Sequence, residues 1–442
     1  MTTFKPQATA PLTSVRATGM DRRAFITTTA AGLGAVALGA PTRARAQGRK
    51  EISFASASFF GSETFGDLVK TFNESQDRIT VKYLELPPPS SSTEVYQRLV
   101  QLLARRNGTP DVFSQDAIWI AGFAAAGWAL PLDEFLDADA RSQYFTGTLN
   151  ACTWDNKVTA LPWFMDTGMM YYRKDLVEKH NAKVPEQWAD MVALGQAAVK
   201  AGDCEFGYIW QGKQAEVLVC NAVELIASNN GAILADDGRS SRIGEPEAIA
   251  AIKFLYDSMN SYGISPKDVL SWDEEPSRQP FTAGKSIFTR NWSYVWPIAQ
   301  DPAASIIVGK VGASPLPHFP GGKSASCLGG YQLGLNANTK ERDASWEFMS
   351  WLSAPEQQRR IALNFGLGPS RPALFDDAEL NQKQPFMATL RPVFTNATPR
   401  PVTPEYAKVT LALQSGISKA LVSGEVEKEM LALATQLNAL VR

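Results

Sequence analysis

The feature that most constrains the fold is a regular alternation of strand and helix patterns in residues 52–113. Apolar or alternating segments typical of strands flank two amphipathic segments, in which apolar residues recur every three or four positions. Because right-handed crossovers connect parallel strands in this order, the alternation predicts a doubly wound α/β lobe. The predicted elements are strand Ile52–Ser58, a helix from about Ser62, strand Ile79–Leu84, helix Glu94–Arg106 and strand Asp111–Phe113.

Three later stretches combine turn residues with aromatic residues and are candidates for crossings between two lobes. They lie near residues 160–166, 290–296 and 335–340. Three crossings would make both lobes discontinuous and leave a central cleft that can open and close about a hinge. The expected division is an N-terminal lobe of residues 47–162 and 295–337 and a C-terminal lobe of residues 163–294 and 338–442.

Residues 1–46 have the pattern of an export signal. The pair Arg22-Arg23 precedes a mildly apolar run at residues 28–40, and Ala44-Arg45-Ala46 follows it. These features are typical of a twin-arginine (Tat) signal peptide with an A-x-A cleavage site. We therefore expect the Tat translocon to export the chain, with cleavage after Ala46 and a periplasmic location. Met20 is an alternative start.

The composition excludes several classes of function. Residues 1–46 carry six basic residues and one acidic residue, so the remaining chain has a formal charge of −7. An acidic chain is a poor candidate for binding nucleic acid or an anionic membrane. The two histidines, His180 and His318, are isolated from each other, which makes a His-rich zinc site or a Ser-His-Asp triad improbable. We expect neither a metal nor an organic cofactor.

The four cysteines have no CxxC spacing and allow three pairings, between which the sequence does not choose. Buried thiols are the simplest expectation for most of them. Their positions are Cys152, Cys204, Cys220 and Cys327.

Six sequence blocks, in order along the chain, carry a family resemblance. The chain resembles the sugar-binding subunits of ABC importers (extracellular solute-binding protein family 1), most closely the trehalose- and maltose-binding members. The blocks are PDVFSQDAIWIAGFAAAGWALPL at 110–132, LPWFMDTGMMYYRKDL at 161–176, WQGKQAEVLVCNAVE at 210–224, DEEPSRQPFTAGKSIFTRNW at 273–292, LGGYQL at 328–333 and PRPVTPEY at 399–406.

The resemblance implies a two-lobed periplasmic-binding-protein fold of type II, in the α/β class. Each lobe would be a doubly wound sheet flanked by helices, and a sugar would bind in the hinged cleft between the lobes. Carboxylates would bond the sugar hydroxyls, with about 1.5–3 kcal/mol for each charge-assisted bond. Aromatic rings would stack on the apolar faces of the sugar, with roughly 2.5 kcal/mol for a face of about 100 Å².

Four charged residues match ligand-binding positions of the family. Glu63 matches an acid at the start of the first helix, where a favourable interaction with the helix dipole is the alternative. Asp116 matches an acid after the third strand and could instead only cap the following helix. Asp166 matches an acid after the first crossing, in an Asp-Thr-Gly sequence that also suits a turn. Arg400 matches a late arginine that bonds sugar oxygens, with a surface salt bridge as the alternative.

Four further residues are the expected apolar and backbone part of the site. Trp292 matches a stacking aromatic, with core packing as the alternative. Phe164 stands where relatives often have Tyr. Gly330 and Tyr331 match a Gly-Trp pair, and Tyr in place of Trp adds a hydroxyl to a smaller ring. These two departures from the family pattern, at Phe164 and Tyr331, leave the identity of the bound sugar undetermined.

These observations predict a binding protein rather than an enzyme. We expect it to capture a disaccharide of the trehalose, maltose or sucrose type by hinge closure and to deliver it, as a monomer, to the transmembrane subunits of an ABC permease. The alternative is the same fold with a polyol or another glycoside as ligand. A remote alternative is a secreted glycoside hydrolase that uses Asp116 and Asp166 as its acid/base pair.

Overall fold

The computed structural model describes residues 48–59, 64–395 and 397–441. The predicted signal peptide and Glu63 lie outside the described residues. No helix among the described residues combines the length and hydropathy needed to cross a membrane.

Thirteen strands and seventeen α-helices make up the described part of the chain. The strands are β1 Lys50–Ala57, β2 Ile79–Leu86, β3 Val112–Asp116, β4 Thr153–Trp154, β5 Lys157–Val158, β6 Phe164–Thr167, β7 Met169–Arg173, β8 Phe206–Ile209, β9 Ser286–Asn291, β10 Val311–Ser314, β11 Leu328–Gly329, β12 Tyr331–Leu335 and β13 Gly368–Pro369. The helices are α1 Phe65–Ser75, α2 Ser92–Leu103, α3 Ile120–Ala125, α4 Ala138–Ser142, α5 Thr146–Ala151, α6 Lys174–Lys179, α7 Trp188–Lys200, α8 Glu216–Ser228, α9 Pro246–Asn260, α10 Glu274–Thr282, α11 Val295–Ala299, α12 Arg342–Leu352, α13 Pro355–Phe365, α14 Ala378–Lys383, α15 Pro385–Thr395, α16 Tyr406–Ser423 and α17 Val426–Leu440.

The first sheet confirms the alternation predicted for residues 52–113. Its strand order is β12-β3-β1-β2, with β1 parallel to both β2 and β3 and with β12 antiparallel to β3. Helix α1 starts with a capping box, in which the Asp67 backbone N–H donates to Thr64 Oγ1 and the Thr64 N–H donates to Asp67 Oδ2. The apolar face of the helix is buried and consists of Phe65, Leu68, Val69 and Phe72.

The second sheet has the order β10-β7-β9-β8 and mixed strand directions. Strand β7 pairs antiparallel with both β9 and β10, and β8 pairs parallel with β9. A third, smaller sheet of order β11-β6-β13 joins segments that run between the two larger sheets. The pairing of these strands therefore brings residues of the crossing segments close together, next to both lobes.

Separate apolar cores stabilise the two larger sheets. The first core packs α1, α2 and α12 on the first sheet, and the second core packs α7, α8, α9, α16 and α17 on the second sheet. A third cluster contains side chains of β7, β10, α11, α14 and α15. Two apolar cores with their own sheets are the arrangement that two lobes require.

The packing corrects two of the expected lobe boundaries. Residues 295–337 were expected in the N-terminal lobe, but β10 pairs antiparallel with β7 of the second sheet. Residues from 338 onward were expected in the C-terminal lobe, but Phe348 and Leu352 of α12 are buried in the core of the first sheet. Strand β10 pairs with the sheet of the second lobe, and the apolar face of α12 packs on the sheet of the first lobe. Local sequence patterns do not specify which sheet such an element joins.

The third predicted crossing, near 335–340, therefore lies too early in the chain. The chain returns to the first sheet at residues 327–331 and leaves that core only after Leu367. A later segment near Thr398 pairs with Cys327 by an isolated bridge and brings Arg400 to the same region. Gly424, with a φ of 76°, ends α16, and α17 follows directly after it.

Candidate functional site

A cleft with about 880 Å³ of empty space, open solvent included, lies at the meeting point of the crossing segments. Seven of the eight predicted site residues line it: Asp116, Phe164, Asp166, Trp292, Gly330, Tyr331 and Arg400. The eighth, Glu63, lies outside the described residues.

Asp116 is the last residue of β3, all of whose residues are buried. Its Oδ1 accepts a hydrogen bond from the Ile118 backbone N–H at 3.2 Å, so it caps the short 3₁₀ turn that precedes α3. The same oxygen accepts from Arg400 Nη2 at 2.6 Å. The Asp116 carboxylate thus both caps the turn and lines the cleft.

Arg400 forms a buried bridge between two acids of the cleft. Its Nη1 donates to Glu216 Oε1 at 3.0 Å, while its Nη2 donates to Asp116. Burial opposes the charge of the guanidinium, but the neighbouring Asp116 carboxylate holds the pKa of Arg400 well above its ordinary value. With 4% of its surface exposed, Arg400 is not part of a surface salt bridge, which corrects that alternative.

Asp166 lies in β6, beside the turn that follows β9. Its Oδ1 accepts from the Ser293 N–H at 3.0 Å, from Ser293 Oγ at 2.6 Å and from the Thr167 N–H at 2.9 Å. Burial raises the pKa of Asp166 to about 6, although the bonds from Ser293 and Thr167 favour the ionised form. Asp166 is therefore easier to protonate than an exposed aspartate, because burial penalises its charged form.

The indole of Trp292 is held by contacts to one of its faces and to its N–H group. The Arg290 guanidinium carbon lies 4.1 Å from the centroid of the indole, and Arg290 itself is completely buried. Arg290 is held by a bidentate ion pair with Glu224. The indole Nε1 donates to Glu274 Oε1 at 3.4 Å. A cation on one face leaves the other face as the apolar surface that a neutral ring can cover.

Glu274 is a site residue that the sequence reasoning did not single out. Its Oε2 is buried and has no hydrogen-bond partner among the described residues. Burial, as the main cause, raises the pKa of Glu274 to about 7. It begins α10 inside the fourth sequence block, so its acidic type at a helix start was the available signal.

Glu216 is the second such residue, at the start of α8. Besides Arg400, its carboxylate accepts hydrogen bonds from Tyr406 Oη at 2.6 Å and from Thr410 Oγ1. These donors come from α16, more than 180 positions away in sequence, so no local pattern could identify the residue. Glu216 ties Arg400 to the second lobe while Asp116 ties it to the first.

Phe164 and Tyr331 form an aromatic wall with Phe59. The ring of Tyr331 stacks on Phe164 at 6.2 Å between centroids and meets the edge of Phe59 at 5.1 Å. The Tyr331 hydroxyl is buried and lacks a hydrogen-bond partner among the described residues. Burial raises its pKa well above the ordinary value, so the hydroxyl keeps its proton.

Gly330 allows this wall to close against β6. It has a φ of +99°, and a Cβ added there would lie 2.4 Å from the Phe164 carbonyl oxygen. Neighbouring Gly329 lies against the indole, since an added Cβ would meet Trp292 Cζ3 at 3.1 Å. The two glycines thus bring the backbone of the crossing strand against Phe164 on one side and Trp292 on the other.

The arrangement suits a neutral polar ligand better than a metal. Among residues 48–59, 64–395 and 397–441, no group of three or more His, Cys, Asp or Glu side chains is placed to hold a metal ion. The cleft instead offers carboxylates, a guanidinium, a phenol and an indole. Such groups hydrogen-bond hydroxyls and stack on C–H surfaces.

Comparisons with known proteins relate most of the chain to one family. The profile of bacterial extracellular solute-binding proteins matches residues 61–359. A probable ABC transporter-binding protein of Deinococcus radiodurans is 31% identical over 352 residues, which are 77% of this chain and 82% of that protein. The mannitol-binding protein of Pseudomonas aeruginosa is 22% identical over 413 residues, 89% of this chain and 93% of that protein.

A solved structure extends the likeness to three dimensions. The maltose-bound MalE3 of T. maritima is 33% identical and superposes with a TM-score of 0.82, over 88% of this chain and 99% of that one. This likeness confirms the expected α/β class with two lobes, the type II periplasmic-binding-protein fold.

Proposed function

Because the chain belongs to the family of bacterial extracellular solute-binding proteins, whose members are binding proteins rather than enzymes, we propose that it is the sugar-binding component of an ABC importer. The bound molecule is a disaccharide of the trehalose, maltose or sucrose type, held in the cleft that Asp116, Asp166, Trp292 and Arg400 line. The protein delivers it to the permease after the lobes close.

The observation that carries this proposal is a set of three buried, unpaired polar atoms on residues that line one cleft. Glu274 Oε2 accepts when the carboxyl group is ionised and donates when it is protonated, Arg400 Nε is a donor, and the Tyr331 hydroxyl can act as either. None of the three has a partner among the described residues. A buried polar atom without a partner costs about 1–3 kcal/mol, so a ligand that bonds all three gains that energy. Sugar hydroxyls both donate and accept, which matches this mixed set.

Support for a disaccharide comes from the platform and from the relatives. The free face of Trp292 suits the C–H face of a pyranose, since Arg290 covers the other face. The 33% identical MalE3 structure contains maltose. We therefore name an α-linked disaccharide as the first candidate ligand.

A polyol is the second candidate, and two observations favour it. The mannitol-binding protein of Pseudomonas aeruginosa is similar over 89% of this chain. Phe164 and Tyr331 form an apolar wall with only one hydroxyl, which suits a shorter ligand that does not need a second sugar subsite. The same unpaired atoms would then bond the hydroxyls of an open chain.

Calorimetric titration of the purified protein with trehalose, maltose, sucrose, glucose, sorbitol and mannitol tests the proposal. We expect one compound to give a heat of binding that saturates during the titration and to raise the melting temperature of the protein. A ligand at 100 times its Kd stabilises the folded state by about 2.7 kcal/mol, enough for a shift of a few degrees. Absence of heat with every sugar and polyol would contradict the proposal.

Trp292→Ala assigns the binding to this cleft. Loss of the indole should weaken the affinity for the compound found above by about 2 kcal/mol or more, because the stacking surface is removed. The matched control is Trp346→Ala, whose ring stacks on Phe135 in the first lobe, away from the cleft. Equal affinities of the two variants would place the ligand elsewhere.

Export and partners are part of the same proposal. An N-terminal signal with Arg22-Arg23 and Ala44-Arg45-Ala46 supports Tat export, cleavage after Ala46 and a periplasmic location. The transmembrane subunits of an ABC permease are the partner, and the protein acts as a monomer. Replacement of both arginines by Lys should retain the precursor in the cytoplasm, as immunoblots of cell fractions would detect.

A further inference from the structure

Two of the four cysteines lie together under the floor of the cleft. Cys220, in α8, lines the cleft, and Cys327 immediately precedes β11. Both are buried in the core of the second lobe, with 2% and 0% of their surfaces exposed. They come from segments more than 100 positions apart, so only the tertiary structure unites them.

The hydrogen bonds around Glu224 show why the two thiols meet. Glu224 follows Cys220 by four positions in α8, so both side chains lie on the same face of the helix. Glu224 Oε1 accepts the backbone N–H of Cys327 at 3.2 Å. The Cys327 backbone is thereby held beside the turn of α8 that carries Cys220, and both cysteines belong to the same buried core.

The surroundings of this pair contain two buried guanidinium groups. Arg290 and Arg400 each interact electrostatically with both sulfurs. Both groups are paired with carboxylates, Arg290 with Glu224 and Arg400 with Asp116 and Glu216, so the sulfurs do not lie beside a net positive charge. Burial raises the pKa of Cys220 well above its ordinary value, with the Cys327 thiol as the next cause. Burial thus protects both thiols in this structure, and their reaction requires the opening of the cleft that the proposed function entails, since Cys220 lines that cleft.

We propose that Cys220 and Cys327 are a modification site, at which a small disulfide such as oxidised glutathione converts the two thiols into an intramolecular disulfide. The Cys220 thiolate attacks one sulfur of the small disulfide, breaks its S–S bond and releases one thiol molecule. The Cys327 thiolate then displaces the second thiol molecule from Cys220. The protein loses two protons and two electrons, and the small disulfide is reduced to two thiols.

The disulfide would link the second lobe to a crossing strand. Cys327 leads directly into Leu328–Gly329 and Gly330, the segment that lies against Trp292 and Phe164. A covalent bond from α8 to this segment would fix the backbone that forms the floor of the cleft. The site is independent of which molecule the cleft binds.

Peptide mapping of the full-length protein tests this inference. The reduced protein is incubated with oxidised glutathione, its remaining thiols are blocked with iodoacetamide, and it is digested without reduction. We expect the peptide of residues 214–239 to be joined to that of residues 324–340, and the mass of the intact protein to fall by two hydrogens. The thiol titre of the unfolded protein should fall from four to two.

Single variants separate this pair from unspecific oxidation. Cys204→Ser removes a half-buried cysteine outside the pair and should leave the cross-linked peptides unchanged. Cys327→Ser should abolish them and leave Cys220 as a glutathione adduct. A titre that stays at four thiols in the wild-type protein, or cross-links that involve Cys152 or Cys204 instead, would overturn the proposal. The mapping of the wild-type protein decides the matter even if a variant fails to fold.

Discussion

At the scale of single residues, the cleft is defined by carboxyl groups in very different environments. Asp116 and Glu216 are bonded to Arg400, and Asp166 is bonded to Ser293, but Glu274 keeps one buried oxygen without a partner among the described residues. Burial without an ion-pair partner raises the pKa of a carboxyl group because it penalises the charged form. Glu274, with a pKa raised to about 7, is the clearest case.

This raised pKa predicts how stability depends on pH. Between about pH 4.5 and 7 the folded state retains a proton on Glu274 that the unfolded chain has released. The stabilisation by this group is therefore complete below pH 4.5 and is lost as the pH rises through 7. Glu274→Gln, which does not titrate, should gain stability relative to the wild-type protein between pH 5 and pH 8, by on the order of 2–3 kcal/mol. Urea unfolding of the ligand-free proteins at both pH values measures the difference.

Glu275→Gln is the matched control for this experiment. The Glu275 carboxylate is ion-paired with Arg278 and accepts a hydrogen bond from Tyr294. Its amide variant loses the ion pair at both pH values and should not gain stability as the pH rises. If the two variants respond to pH alike, the titration does not belong to Glu274.

At the scale of elements, the short strands of the crossing segments decide the form of the site. Strand β6 brings Phe164 and Asp166 to the cleft, and β11 pairs with it antiparallel. The positive φ of Gly330 turns the chain from β11 into β12, where Tyr331 pairs with Asp116 of β3. Two site residues from distant parts of the chain are thus set side by side by one ladder of strand pairing.

Gly330→Ala should disrupt this junction. The added Cβ would lie 2.4 Å from the Phe164 carbonyl oxygen and 2.7 Å from Met165 Cα, with a φ that an L side chain rarely adopts. We expect a loss of more than about 3 kcal/mol in the free energy of unfolding. Gly238→Ala has a similar φ of +68° but nothing within 4 Å, and should cost only about 1–2 kcal/mol. Denaturant unfolding of both variants would show equal losses if the close approach at Gly330 were unimportant.

At the scale of the whole molecule, the described residues contain two four-stranded sheets with separate cores and a cleft between crossing segments. The Arg400 bridge spans the cleft, from Asp116 at the end of a first-sheet strand to Glu216 at the start of a second-lobe helix. A ligand that bonds these groups contacts both lobes at once. We therefore expect it to favour the closed arrangement by its difference in affinity for the two forms.

Small-angle scattering tests this coupling. A compact chain of this length has a radius of gyration of about 21 Å. Saturation with the ligand identified by calorimetry should lower the radius, by on the order of 1 Å for a hinge closure. Trp292→Ala, titrated at the same ligand concentration, should show a smaller change because less of it is occupied. An unchanged radius for the saturated wild-type protein would contradict closure on binding.

The local pattern of the chain was sufficient for much of this description. Alternating and amphipathic segments at residues 52–113 predicted the strands and helices of the first sheet, because period-2 and period-3.6 burial are properties of short segments. The ordered blocks predicted the α/β fold and the family. They also pointed to Asp116, Asp166, Trp292 and Arg400, which the structure brings to one cleft.

Only the tertiary structure decided those features of the fold and of the site that depend on contacts between residues far apart in sequence. It assigned β10 to the second sheet and α12 to the first, since an edge strand and an apolar helix face accept any complementary neighbour. It added Glu216 and Glu274 to the site and placed Cys220 beside Cys327, because desolvation and hydrogen bonding act through space. Burial and pairing are properties of the assembled fold, so the charge states within the cleft could not be obtained from the order of the residues.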